Sequence, residues 1–248
     1  MTFLTLLIVC LIERFWQAVA GIRRWGWLTR YNQWVARFVA KTSFNKPAVS
    51  YLLVVISLLI IVLIIQRLLL PFTYATWLYL FNFLVLLYCM GPSSFYQPFR
   101  AVLPVSDAAG DKQPLLSHTD DLYGEVIRVN QMVFAPFFWF AVLGAFGAVM
   151  YRVTEQLPKN NFVRSAVNVL DWIPARLLAF TFGLVSYFVM VFPVWARYLC
   201  AKPQDNSLLL TECTKISLAD DQNSVHLVAL IDRSLIVWLV VLALVVLL

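Results

Sequence analysis

Apolar residues run along this chain without interruption for lengths that a soluble core does not need. Pro47–Ile65 holds 19 residues without a charge and Leu68–Met90 holds 23. Val129–Tyr151 is another uncharged run of 23, and Leu177–Ala196 is one of 20. About 20 helical residues cross the roughly 30 Å hydrocarbon layer of a bilayer, so each run predicts a spanning helix. Trp139, Tyr151 and Trp195 stand in or at the ends of two of them, as amphipathic rings do at the headgroup level. The termini carry shorter runs, 12 residues over Met1–Ile12 and 15 over Ser234–Leu248. These span only if Glu13 and Arg14, or Asp232 and Arg233, are drawn in, and such charges then need partners. No small-residue cleavage site follows the first run, which reads as an uncleaved helix. The expectation is an all-α polytopic transmembrane bundle, one integral domain over 1–248. Its six spans fall near 1–14, 47–67, 68–90, 129–151, 174–196 and 232–248.

Between the first two runs the pattern changes. Trp27, Leu28, Tyr31, Trp34, Val35 and Phe38 recur at three- and four-residue spacing, while Arg30, Gln33, Arg37 and Lys41 take another face. This predicts an amphipathic helix over 27–41 lying in the lipid headgroup boundary. A basic, Trp-rich stretch also suits nucleic acid, but its aromatic residues are confined to the apolar face, which favours lipid.

Composition agrees with the pattern. The chain is 62% hydrophobic and 13% charged with a mean hydropathy of +0.80, too little polar surface to cover a soluble globule. Arg14, Arg23, Arg24, Arg30, Arg37, Lys41 and Lys46 crowd the first loop against the single acid Glu13, which predicts a cytoplasmic first loop. The six-span order then puts the loop around Asn160 on the opposite side. Cys10, Cys89, Cys200 and Cys213 are far apart, and His118 and His226 are the only histidines. That composition offers neither a zinc site nor a disulfide framework. Gly91 to Tyr123 is rich in turn formers, and Asp107, Asp111, Asp120 and Asp121 lack EF-hand spacing, so this loop reads as solvated. The stretch Arg197–Arg233, with Asp220 and Asp221, reads the same way. No phosphate-binding loop, nucleophile elbow or zinc-protease motif occurs, and no cofactor, metal or catalytic residue is expected.

The chemistry concentrates at Val169-Leu170-Asp171-Trp172-Ile173-Pro174-Ala175-Arg176-Leu177. Charge at the mouth of a membrane helix is costly and marks a candidate site. Pro174 removes a donor and pushes Ile173 out of the α region, so a helix through Val163–Trp172 should end there and a new one start. Arg164, Asn168 and Asp171 share a face by their spacing, and Arg176 enters two residues after the hinge. Two readings stand: Asp171 and Arg176 pair with each other, or they line a pocket for a small anion at the new helix start. Glu13, Asn130, Tyr151 and Arg152 are further pocket candidates, with packing or snorkelling as the alternative. Pro136 is a second hinge. Gly144 and Gly147, with Ala141, Ala145 and Ala148, read as a small-residue packing face.

Those same residues carry a resemblance. Glu125 and Asn130, Ala135-Pro136-Phe137-Phe138-Trp139, Gly144, Gly147-Ala148, Tyr151-Arg152 and the Asn168–Leu177 string resemble, in order and spacing, the AmpE branch of the CobD/CbiB superfamily. Glu13-Arg14-Phe15, Leu86–Gly91 and Gly183-Leu184-Val185 are also similar. The resemblance implies a multi-pass protein of the bacterial inner membrane, linked to β-lactamase induction and envelope stress sensing. The expected partners are the bilayer, from composition, and a membrane protein or a second copy, which the small-residue face and basic first loop permit. The alternative it carries is a membrane amide synthase joining an aminopropanol-type amine to a corrinoid carboxylate. Enzymes of that branch carry acidic and histidine-containing motifs where this chain has Glu13-Arg14-Phe15-Trp16 and Asn130-Gln131-Met132-Val133, which sides with the regulatory branch.

Overall fold

A computed structural model describes residues 5, 8–9, 25–40, 47–69, 76–90, 119–218 and 224–247. Every element among them is helical. In order they are α1 (Gly26–Ala40), α2 (Pro47–Leu69), α3 (Thr76–Cys89) and α4 (Thr119–Val129), then a π-helical turn (Asn130–Phe134). There follow α5 (Ala135–Leu143), α6 (Ala145–Gln156), α7 (Asn161–Leu170), α8 (Trp172–Val185) and α9 (Phe188–Tyr198). A short 3₁₀ turn (Pro203–Asp205), α10 (Asn206–Leu218) and α11 (Ser224–Leu247) complete the chain. The chain packs as two compact units, one of Met1–Pro92 with Ala135–Leu170, the other of Ser93–Phe134 with Asp171–Leu248.

Three helical stretches are long and apolar enough to cross a membrane, Ala48–Leu69, Leu122–Leu143 and Val225–Leu244. The broken pair Asn161–Leu170 and Trp172–Val185 adds a fourth if taken as one span. Six spans are therefore not what the described helices supply, and most of the expected first one lies outside the described residues. Helix α2 has the length and composition of a span, and a helix bonds each peptide group within its own segment, as hydrocarbon requires, which overrides the low helix propensity of its Val and Ile residues. The helix buries a stripe of Val54, Val55, Leu59 and Val62 and exposes Leu52, Ile56, Ile60 and Ile64. Helix α11 draws Asp232 and Arg233 inside its length, as a full-length last span requires.

In the first unit α2, α3, α5 and α7 pack around α6. Val54, Val55 and Leu59 of α2, Val153 of α6, and Val163 and Val167 of α7 share one core with Trp25 and with Leu28, Val35 and Val39 of α1. Helix α1 covers the stretch where an interfacial helix is expected, and its apolar residues are divided between core and surface. Leu28, Val35 and Val39 are buried, while Trp27, Trp34 and Phe38 stay exposed. Tyr31, Trp34 and Phe38 stack along that open edge, with ring centres 6.1 and 6.2 Å apart.

The run 129–151 does not continue straight. It breaks at Gly144, whose φ of 66° and ψ of −151° lie in a region that side chains disfavour, and α6 packs back on α5. A Cβ on Gly147 would collide with the Trp139 carbonyl and come within 2.7 Å of Leu143 Cβ, so the close approach of the two helices needs glycine there. Gly144 is therefore a turn rather than part of a packing face. The consequence reaches the connecting loops. Asn32 of α1 and Asn160 before α7 line one cavity of about 270 Å³ with Ser50 and Tyr51. This cavity brings together two segments that the six-span order expects on opposite sides.

The second unit repeats this behaviour. The run expected to span 174–196 is two helices, α8 and α9, broken at Ser186-Tyr187 and packed on each other. Ser186 Oγ donates to Phe182 O at 2.6 Å, and Gly183 lets Val191 approach to 3.2 Å from where a Cβ would stand. The expected solvated loop after Arg197 contains α10, which packs on α4, α8 and α9 and buries Leu209, Leu210, Cys213 and Thr214. Its apolar residues at three- and four-residue spacing were a helix signal that the neighbouring acids obscured.

Candidate functional site

The sequence candidates fall into two groups. Tyr151, Arg152, Arg164, Asn168, Pro136, Gly144 and Gly147 belong to the first unit, and Asn130, Asp171, Pro174 and Arg176 to the second. Glu13 lies outside the described residues.

The helix break falls two residues before the expected one, and Ile173, expected outside the α region, is helical. Helix α7 ends at Leu170, Asp171 is a turn, and α8 starts at Trp172 with Pro174 in its first turn. A proline here cannot donate to the carbonyl four residues back, that of Leu170. Trp139 Nε1 donates to that carbonyl at 3.1 Å. Pro136 also sits in a first helical turn, just after the π-helical residues Asn130–Phe134, a local widening that accommodates its missing donor.

Arg176 does not behave as either sequence reading has it. The guanidinium is 4% exposed and has five N–H donors. Nε donates to Leu199 O at 2.8 Å; Nη1 donates to Trp172 O at 3.0 Å and Asn206 Oδ1 at 2.9 Å. Nη2 donates to Tyr198 O at 3.0 Å and Ala201 O at 2.9 Å. All five are spent, none on Asp171 and none left for a ligand. Three of the acceptors are carbonyls at and just beyond the C-terminus of α9, where the helix dipole is negative and backbone oxygens lack helical partners. Trp172 lies under the guanidinium at 4.1 Å and donates its own Nε1 to Ala201 O, while Trp195 Nε1 donates to Arg176 O. The arrangement ties the start of α8 to the end of α9 and the start of α10. Asp171, also 4% exposed, accepts from Gln131 Nε2 at 3.0 Å. The shared face of Arg164, Asn168 and Asp171 is not kept: Arg164 is exposed and Asn168 half-buried.

Asn130 and Arg152 differ from Arg176 in what they leave open. Asn130, 1% exposed in the π-helical turn, has no partner for either amide atom among the described residues. Arg152, also 1% exposed, donates from Nη1 to Glu155 Oε2 at 3.0 Å, and its Nε and Nη2 have no acceptor among the described residues. Tyr151 beside it is fully buried. Among the described residues no three His, Cys, Asp or Glu side chains gather in a way that would hold a metal ion.

Asn206 is the residue that sequence reasoning missed. It follows Lys-Pro-Gln-Asp, a turn signal, and its amide supplies the only side-chain acceptor to Arg176 among the five. The chain matches no protein-family model, no curated protein and no solved structure.

Proposed function

We propose that this chain works in the bacterial inner membrane as a multi-pass modulator of AmpE type, acting on β-lactamase induction and envelope stress signalling rather than catalysing a reaction. One observation carries the reading. The Asp171–Arg176 string, the strongest candidate for substrate chemistry, spends every donor of its arginine on holding helices together. A guanidinium without a free donor cannot take a substrate carboxylate, as an amide synthase would require of it. The reading keeps the first loop in the cytoplasm by its basic residues and moves the loop around Asn160 to the same side. The bilayer is one partner, and a membrane protein or second copy the other.

Two strains test it. In a host whose own copy is deleted, restoring the chain should return β-lactamase reporter output to its original level. In a host lacking the aminopropanol-linking synthase, the chain should fail to restore cobalamin-dependent growth. Rescue of the second strain overturns the modulator reading in favour of the synthase.

A further inference from the structure

We infer that Arg152 binds a two-oxygen oxyanion, a carboxylate or phosphoryl group, through the edge of its guanidinium formed by Nε and Nη2. The edge is defined by chemistry. Nε–H and one Nη2–H point the same way in the guanidinium plane, the fork that meets carboxylate or phosphate oxygens with two parallel bonds. Those are the two nitrogens left without an acceptor among the described residues, while Nη1 is occupied by Glu155 at 3.0 Å. The Glu155 carboxylate oxygen also accepts from Gln156 Nε2 at 2.7 Å, so the counter-charge that holds Nη1 is itself held. This fixes the plane of the guanidinium and commits its other edge.

Burial makes the open edge significant. A guanidinium 1% exposed cannot recover its donors' bonds from bulk water, and a buried charged donor without an acceptor is among the most costly groups a fold can carry. The same chain shows what a structural arginine looks like: Arg176, equally hidden, has all five donors engaged. The Thr154 hydroxyl, two residues along α6, is engaged elsewhere: Oγ1 donates to Met150 O and meets Tyr51 Oη. Among the described residues of this unit, the other buried side-chain atom without a partner is Trp25 Nε1, also a donor.

The oxyanion has two sources, a soluble molecule or a phospholipid headgroup. Full-length chain purified in a neutral detergent separates them. Sodium phosphate and sodium succinate, compared with sodium chloride at equal ionic strength, should raise the melting temperature of the wild type by about 3–6 °C at ten times Kd. Arg152→Lys keeps the charge but loses the fork, and should weaken that binding by about tenfold or more. Arg164→Gln, at an exposed arginine of the same unit, should leave it unchanged. If the soluble anions have no effect, native mass spectrometry should find phospholipid retained by the wild type and lost from Arg152→Lys, which assigns the headgroup as source. A thermal shift equal in wild type and Arg152→Lys, or neither anion response nor retained lipid, overturns the proposal and leaves Arg152 satisfied by internal water. The inference deepens the modulator reading. Binding without any change of reporter output in the Arg152→Lys strain would sink that reading alone, whereas a failed binding test leaves it standing.

Discussion

Arg176 and Arg152 are hidden to the same degree, yet the first has no donor to spare and the second keeps a whole edge. For Arg176 the expected outcome of removal is loss of fold. Arg176→Gln leaves the carbonyls of Tyr198 and Leu199 without this donor, and Ala201 O with Trp172 Nε1 alone, and should destabilise by about 2–5 kcal/mol, measured by thermal or denaturant unfolding in detergent. Arg176→Lys should recover only part of this, since three rotatable donors cannot reach five fixed acceptors. Asp171→Asn keeps an acceptor for Gln131, so its cost should be smaller. Because Gln131 and the five acceptors of Arg176 are different groups, the double variant should be near-additive, with a coupling under about 0.5 kcal/mol. Recovery of stability in the double variant would instead show that they pair.

At the scale of elements, two apolar runs that look like spans become helix pairs, and the breaks make different demands. At Gly144 the backbone angles are the constraint, and Gly144→Ala should cost about 1–3 kcal/mol. At Gly147 the constraint is space, and Gly147→Ala should destabilise by about 1–3 kcal/mol or more as α5 and α6 are forced apart. Helix α10, outside the spanning segments, carries a built-in pH response. Burial, and secondarily the charge of Glu212, push the Cys213 thiol up from 9.0 to about 12. A thiol whose folded pKa is raised favours the folded state while neutral, so this contribution is complete below pH 9 and is lost as pH rises from about 9 to 12. Unfolding measured across that window should show falling stability that Cys213→Ser or Cys213→Ala reduces. Maleimide at pH 8 should label exposed Cys200 and spare Cys213 in the folded chain.

For the whole molecule the decisive measurement is sidedness. Single cysteines replacing Asn32 and Asn160 in a cysteine-free chain should label from the same side of the membrane, because both residues line one cavity. Labelling from opposite sides would restore the alternating six-span order. Much of the architecture follows from local rules that the sequence carries by itself: helix from long apolar runs, the helical period of α1, a break close to Pro174. These rules act within about one helical turn, and every residue they need is adjacent in the chain. Tertiary structure alone decided the rest. Hydropathy cannot distinguish a straight span from one folded back at Gly144 or Ser186, since folding back leaves the residues equally apolar. Nor does Arg176 announce its partners. It takes carbonyls 22 to 25 positions away, and any backbone carbonyl serves, so the choice depends on which helix ends packing brings within reach. Arg152 follows from the same cause in reverse: packing buried its guanidinium, supplied one acceptor, and left two nitrogens without one among the described residues.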